Sequence, residues 1–170
     1  MKNIEIEFKY DASEIKLESF LNTIKDLPIK KRLVVSSYDD YFVSDDGDFV
    51  RYRHNDARGE LTIKRKLKKS NNFERVEVNL PTKGDSLENV NAFMKLLGYK
   101  YNFGIYKTCH IYWLDKVDLV YYVIYDKELK EMRRFIEIEA LEEGIDWKSE
   151  EEALEEIIKY EKLLEPLGIS

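Results

Sequence analysis

The stretch Ile4-Glu5-Ile6-Glu7-Phe8-Lys9-Tyr10 alternates without a break, with Ile4, Ile6, Phe8 and Tyr10 in one phase and Glu5, Glu7 and Lys9 in the other. Successive side chains of an extended chain point to opposite faces, so this is a β-strand with one apolar and one charged face. The same division recurs downstream. Asp48–His54 sets Arg51 and Arg53 against Val50 and Tyr52, and Glu60–Leu67 sets Thr62, Lys64 and Lys66 against Leu61, Ile63 and Leu67. Phe73–Leu80 sets Arg75, Glu77 and Asn79 against Val76 and Val78, and Arg133–Leu141 sets Glu137 and Glu139 against Ile136 and Ile138.

Further strands are predicted at Ser37–Val43, Gly104–Leu114 and Val117–Asp126. The turn clusters Ser44–Gly47, Asn55–Gly59 and Lys69–Asn72 separate several of them. Helices are predicted over Asp11–Asp26, capped by Asp11 or Ser13, over Ser86–Leu97, closed by Gly98, and over Ser149–Leu164, capped by Ser149. About eight strands joined by short loops cannot form a parallel sheet, which needs long crossovers. The fold class expected is α+β: an antiparallel sheet or barrel with helices outside, in one domain over residues 1–170.

Composition narrows the functional classes. Of 170 residues, 36% are charged and 44% hydrophobic, and the net charge of −6 argues against general nucleic-acid binding. The single cysteine, Cys109, excludes an internal disulfide or a cysteine-rich metal cluster. The start Met1–Glu5 becomes charged too soon for a signal peptide, and no apolar stretch is long enough for a membrane helix. These features predict a cytoplasmic protein without membrane contact.

A one-sided sheet with a wetted charged face would account for any single strand. The set as a whole pairs like charges two residues apart (Glu5/Glu7, Arg51/Arg53, Lys64/Lys66, Glu137/Glu139), which repel unless opposite charge lies between them. In a closed barrel with helices outside, those faces would line the lumen. Arg and Lys on some walls neutralise phosphate oxygens, and carboxylates on another supply hard oxygen ligands for Mg²⁺ or Mn²⁺. The pattern points to a phosphorylated small molecule taken up with metal.

The order of these segments resembles the CYTH domain, or triphosphate tunnel, family. Ile4–Lys9 matches its Glu-x-Glu-x-Lys start; Asp39, Tyr41 and Phe42 match its Asp-x-Tyr-Phe segment; Val50–Arg53 matches its Arg-x-Arg strand. Leu61–Lys64, Arg75–Glu77, Tyr106-Lys107, Asp126 and Phe135–Glu139 follow in the family's order. The resemblance implies an eight-stranded antiparallel tunnel with helices outside. It implies metal held by Glu5, Glu7, Glu137 and Glu139, with Glu77 and Asp126 helping. It implies triphosphate clamped by Lys9, Arg51, Arg53, Lys64, Lys66, Arg75 and Lys107, with Glu5, Glu7, Lys9 and Glu139 as the catalytic set.

One departure stands out: where the family carries Lys-x-Arg, this chain reads Lys107-Thr108-Cys109. Cys109 is expected to be a small buried hydrophobe, and His54 and His110 to be structural or at the surface. Tyr121, Tyr122 and Tyr125 are expected to pack against helices. The function implied is metal-dependent hydrolysis of a triphosphate: inorganic triphosphate, a nucleoside triphosphate or another organic one. The alternatives are a class IV-type adenylyl cyclase acting on ATP and a non-catalytic nucleotide- or polyphosphate-binding module. Assembly as a homodimer is left open.

Overall fold

The antiparallel expectation is met by eight strands that close on themselves. The computed structural model describes residues 4–55, 58–66, 74–141 and 147–169, and of residues 4, 5, 64–66 and 74–76 the backbone alone. The strands are β1 (Ile4–Asp11), β2 (Lys31–Ser44), β3 (Phe49–His54), β4 (Gly59–Lys66), β5 (Glu74–Thr82), β6 (Tyr99–Trp113), β7 (Val117–Tyr125) and β8 (Glu131–Ala140). They run around the barrel in the order β1-β5-β4-β3-β2-β6-β7-β8, every neighbouring pair antiparallel, and β8 returns to β1 through Glu7↔Glu139 and Lys9↔Glu137. Three helices, α1 (Leu17–Ile24), α2 (Leu87–Leu96) and α3 (Glu150–Leu164), complete the fold. Among the described residues, no helix is long and apolar enough to cross a membrane.

The period-two alternation decides which phase faces out. Ile6, Tyr10, Leu119, Tyr121, Ile136 and Ile138 are buried beneath Phe20 and Ile24 of α1 and Ala153, Ile157, Tyr160 and Leu164 of α3. Phe42, Val50 and Tyr52 are buried with Val90 and Met94 of α2. The larger hydrophobic cores therefore lie outside the barrel, where apolar strand faces meet helices, and the charged phase is left to the lumen.

Element ends differ from the sequence expectation for identifiable reasons. β2 begins at Lys31 rather than Ser37, because its whole length pairs with β6 from Lys31↔Trp113 to Ser44↔Tyr99. β6 likewise starts at Tyr99, immediately after Gly98, whose φ of +86° turns the chain out of α2. The first helix is shorter than expected and neither Asp11 nor Ser13 caps it. Asp11 ends β1 and its Oδ1 accepts from the Ser13 N–H at 2.8 Å, forming a turn, and Lys16 occupies the cap position. Ser86 and Ser149 do cap α2 and α3, their Oγ atoms accepting from the N–H groups of Asn89 and Glu152.

On the outer face, Asp40 is buried beneath the end of the β2–β6 ladder. Its Oδ2 lies 2.8 Å from His54 Nε2, and its Oδ1 accepts from the Tyr101 hydroxyl at 3.1 Å. The His54 ring stacks against both Tyr38 and Tyr52, so this histidine serves the packing of the wall. Gly104 makes room for the cluster: a Cβ there would stand 2.6 Å from Asp40 Oδ1 and 2.8 Å from the Tyr101 hydroxyl oxygen. Gly104→Ala is therefore expected to cost about 1–3 kcal/mol through this overlap, measured by urea denaturation. An unchanged midpoint would show that Asp40 can move aside freely.

Candidate functional site

The inward phase of the strands encloses a cavity of about 660 Å³. Its walls carry Glu7 and Lys9 from β1, Tyr41 from β2, Phe49, Arg51 and Arg53 from β3, and Glu60 and Thr62 from β4. Glu77 comes from β5, Asn102, Phe103, Ile105 and Lys107 from β6, Tyr122 and Ile124 from β7, and Glu137 and Glu139 from β8. Residues separated by more than a hundred positions thus share one space because nearly all of them occupy the lumen phase of their strands; Asn102, out of phase with Phe103, falls where the β2–β6 register shifts.

The cations are held in distinct ways. Arg53 donates from Nε to Asp39 Oδ1 at 2.8 Å and from Nη2 to Asp39 Oδ2 at 2.7 Å, a bidentate pair. Burial pushes the wholly buried Asp39 carboxyl up, but these bonds and the positive charges of Arg53, Arg51 and Lys107 outweigh it and hold it below the usual carboxylate range. Arg51 donates from Nη2 to Thr62 Oγ1 at 3.0 Å and lies 3.8 Å from Glu60, while its buried Nε has no hydrogen-bond partner. Lys9 Nζ stands 3.3 Å from Glu137 Oε1, and Lys107 Nζ sits 3.5 Å above the centre of the Tyr122 ring.

Tyr122 is the main residue that the sequence reading misplaced. Of the clustered tyrosines, Tyr121 does pack outward, bonding the Ile15 carbonyl at 2.8 Å, but Tyr122 is a lumen residue. Its hydroxyl donates to Glu137 Oε1 at 2.8 Å, and its ring stacks on Phe135 and lies within 5.2 Å of Lys9 Nζ. Alternation within the strand does not decide its face; the pairing does, since Tyr122 registers opposite Phe135, which is two residues from Glu137. Asp118 was also missed. It registers opposite Glu139, its Oδ1 is buried without a hydrogen-bond partner, and burial pushes its carboxyl up to about 6.

Asp126 is set apart from the cavity-lining residues named above: its Oδ1 accepts from the N–H groups of Glu128 and Lys130 at 2.8 and 2.9 Å and so shapes the β7–β8 turn. That turn precedes Lys130 and leaves Asp126 past the end of the β7 ladder. Glu7, Glu77, Glu137 and Glu139 are brought to the cavity, as are Lys9, Arg51, Arg53 and Lys107. The side chains of Glu5, Lys64, Lys66 and Arg75 lie outside the described residues, although their strands register Glu5↔Arg75, Lys64↔Glu77 and Lys66↔Arg75.

Cys109 is buried in a small apolar cluster with Val120 and Tyr122, flanked by Ile111, Ile124 and Phe135. Burial pushes its thiol up, against the opposing pull of Lys107 and Arg53, which favours the protonated, unreactive form. Where the sequence pattern implied another guanidinium, the barrel therefore has an apolar wall.

The carboxylates at the cavity are hard oxygen donors, and among the described residues neither a thiol nor an imidazole lines it, so the donor chemistry fits Mg²⁺ or Mn²⁺. Among the described residues, no three Asp, Glu, His or Cys side chains already converge closely enough to enclose an ion.

A conserved hypothetical protein from Pyrococcus furiosus is 29% identical over 98% of this chain and 91% of its own, with a TM-score of 0.73. The PH1012 protein from Pyrococcus horikoshii OT3 is 23% identical, with the same coverage and a TM-score of 0.75. A candidate adenylate cyclase from Vibrio parahaemolyticus shares the fold at 13% identity and a TM-score of 0.62, covering all of this chain and 91% of its own. No curated protein matches. The family model described as the CYTH domain matches residues 3–170, and the chain belongs to that family.

Proposed function

We propose that this barrel binds a triphosphate compound together with Mg²⁺ or Mn²⁺ and hydrolyses it. One observation carries the reading: among the described residues, the cavity combines the cations Lys9, Arg51, Arg53 and Lys107 with the carboxylates of Glu7, Glu60, Glu77, Glu137 and Glu139. A polyanion entering alone would meet five of these carboxylates beside four cations and be repelled by the acids. Divalent metal offsets part of that negative charge, so ligand and metal are expected to enter as one unit.

Glu7, Glu77, Glu137 and Glu139, which line the cavity, would hold the metal, with Glu5 two residues from Glu7 in sequence. A divalent cation held there supplies charge neutralisation and polarises a phosphoryl oxygen. The chain's own residues do the rest. Arg51 lines the cavity with its Nη2 fixed on Thr62, Arg53 is oriented by Asp39, and Lys107 is steered by the Tyr122 ring, so the phosphate oxygens would meet positive groups already in place. Glu137, anchored by Tyr122 and Lys9, remains a hydrogen-bond acceptor at the lumen and can orient an attacking water.

Tripolyphosphate with Mg²⁺ is expected to raise the melting temperature clearly, and chelation of the metal should remove most of the shift; at a hundredfold excess over Kd the gain is about 2.7 kcal/mol. Orthophosphate should then appear, resolved by ion exchange. Cyclic AMP and diphosphate from ATP would instead make the protein a cyclase, and a shift without any product would leave a binding module. Neither shift nor product would overturn the proposal.

A further inference from the structure

Among the described residues, the helices pack against only part of the outer barrel wall. α1 and α3 cover β1, β7 and β8, and α2 lies over β2 and β3, its Val90 and Met94 buried with Phe42, Val50 and Tyr52. The next strands, β4 and β5, turn Ile63, Val78 and Leu80 outward, in the phase opposite to the lumen residues Thr62 and Glu77. All three stay exposed. Ile63 registers opposite Val78, and Leu80 opposite Leu61, which packs against the core under α2. Apolar surface therefore runs on from the helix across both strands.

The helix is apolar on more than the side it buries. Phe93, Leu96 and Leu97 form a second stripe at i, i+3 and i+4 that stays exposed, Leu96 to 88%. Chirality fixes where that stripe points. The Ser44 N–H bonds the Asp48 carbonyl, which makes Phe42↔Val50 a hydrogen-bonded pair. Seen from outside with β3 running upward, β4 then lies to its left and β2 to its right. The Tyr52 hydroxyl donates to the Asp85 carbonyl just before α2, and Tyr99, just after it, registers with Ser44. The helix thus runs antiparallel to β3, and its right-handed turn sets Phe93 and Leu97 toward β4.

A helix is about 10 Å across, so α2 is a ridge beside a β4–β5 shelf, with apolar groups on both. Taking about 200 Å² for a large apolar side chain in full exposure, the six residues, exposed by 39–88%, offer roughly 700 Å². The largest apolar patch of a monomer is ordinarily about 300–600 Å², whereas a standard interface buries about 800 Å² on each partner. A two-fold contact requires a surface complementary to itself, and a ridge beside a shelf is one. None of the six is ionisable, so two copies meet there without like charges opposed. We propose that this face joins two copies of the chain as a symmetric dimer, α2 of each seated on the β4–β5 shelf of the other.

Sedimentation equilibrium of the full chain tests this, with twice the chain mass expected at concentrations of about 1–100 µM. Leu96→Glu and Val78→Lys each place a charge in the contact at an exposed position, and each should weaken association by about 100-fold or more. Mixed in equal amounts, the two variants should associate again, because one contact is then native and the other pairs Glu with Lys. Met132→Glu, an exposed position on β8, is the control and should leave the dimer intact. Far-UV circular dichroism of every variant separates lost association from lost folding. A wild type that stays monomeric at about 100 µM overturns the dimer and leaves the face to a different protein. A dimer that survives both substitutions, or weakens equally with Met132→Glu, overturns this surface. Folded variants that stay monomeric when mixed overturn the seating of ridge on shelf.

Discussion

Arg53→Met is expected to lower stability by about 3–5 kcal/mol, because it leaves the wholly buried Asp39 carboxylate without its bidentate partner. The Ser37 hydroxyl, 3.4 Å from Asp39 Oδ1, replaces little of what is lost. The double variant Arg53→Met, Asp39→Leu should recover most of the loss, since an apolar pair of similar volume has no charge to compensate. Denaturant unfolding of the three proteins checks this, and a double variant no better than the single one would show that the damage is to packing.

Acid provides an independent check. The folded Asp39 carboxyl lies below its ordinary value, so the pair's contribution is complete above the usual aspartate range and is lost as the pH falls through the lowered folded value. In Arg53→Met the isolated carboxyl is desolvated and takes up its proton at higher pH. The gap between wild type and variant should therefore narrow as the medium is acidified.

Arg51→Met is expected to act mainly on turnover. Its Nε is already buried without a partner and its contact with Glu60 is long, so losing its bond to Thr62 and its share of the positive charge near Asp39 should lower the unliganded protein's stability far less than Arg53→Met does. Triphosphate turnover should fall by about 10²–10³-fold, the scale of losing one preorganised donor. Steady-state kinetics beside thermal melts separate the two effects. A stability loss like that of Arg53→Met, with turnover preserved, would make Arg51 a structural residue. Two arginines one strand repeat apart would then differ only in degree.

The barrel was legible because the strand phase carries it: Glu7, Lys9, Arg51, Arg53, Glu137 and Glu139 all arrive in the lumen from alternation alone. Alternation also placed the apolar faces against helices. It could not assign Tyr122, since an amphipathic ring satisfies either face; here the choice is settled by Glu137 and Phe135, which belong to another strand. The place of Asp126 was no more legible, for a related reason. A carboxylate at a strand end serves equally as a ligand or as an acceptor for turn N–H groups, and the local Glu128 and Lys130 amides take it. The partnership of Asp39 with Arg53 was equally hidden, because it depends on the β2–β3 register rather than on either segment. Strand ends moved where cross-strand pairing extended a strand beyond its own sequence signal, most plainly at Lys31–Ser36.

The two larger cores of this molecule lie between the outer barrel wall and the helices, while the lumen residues occupy the alternate positions of the same strands. Adjacent letters of one strand are thus answerable to different demands, one to keeping the wall closed and the next to what passes inside it. With exceptions such as the Asp39–Arg53 pair, a descendant can rewrite its selectivity one alternate letter at a time without loosening the architecture. The buried thiol of Cys109, where the resemblance implies a guanidinium, would be an edit of that kind.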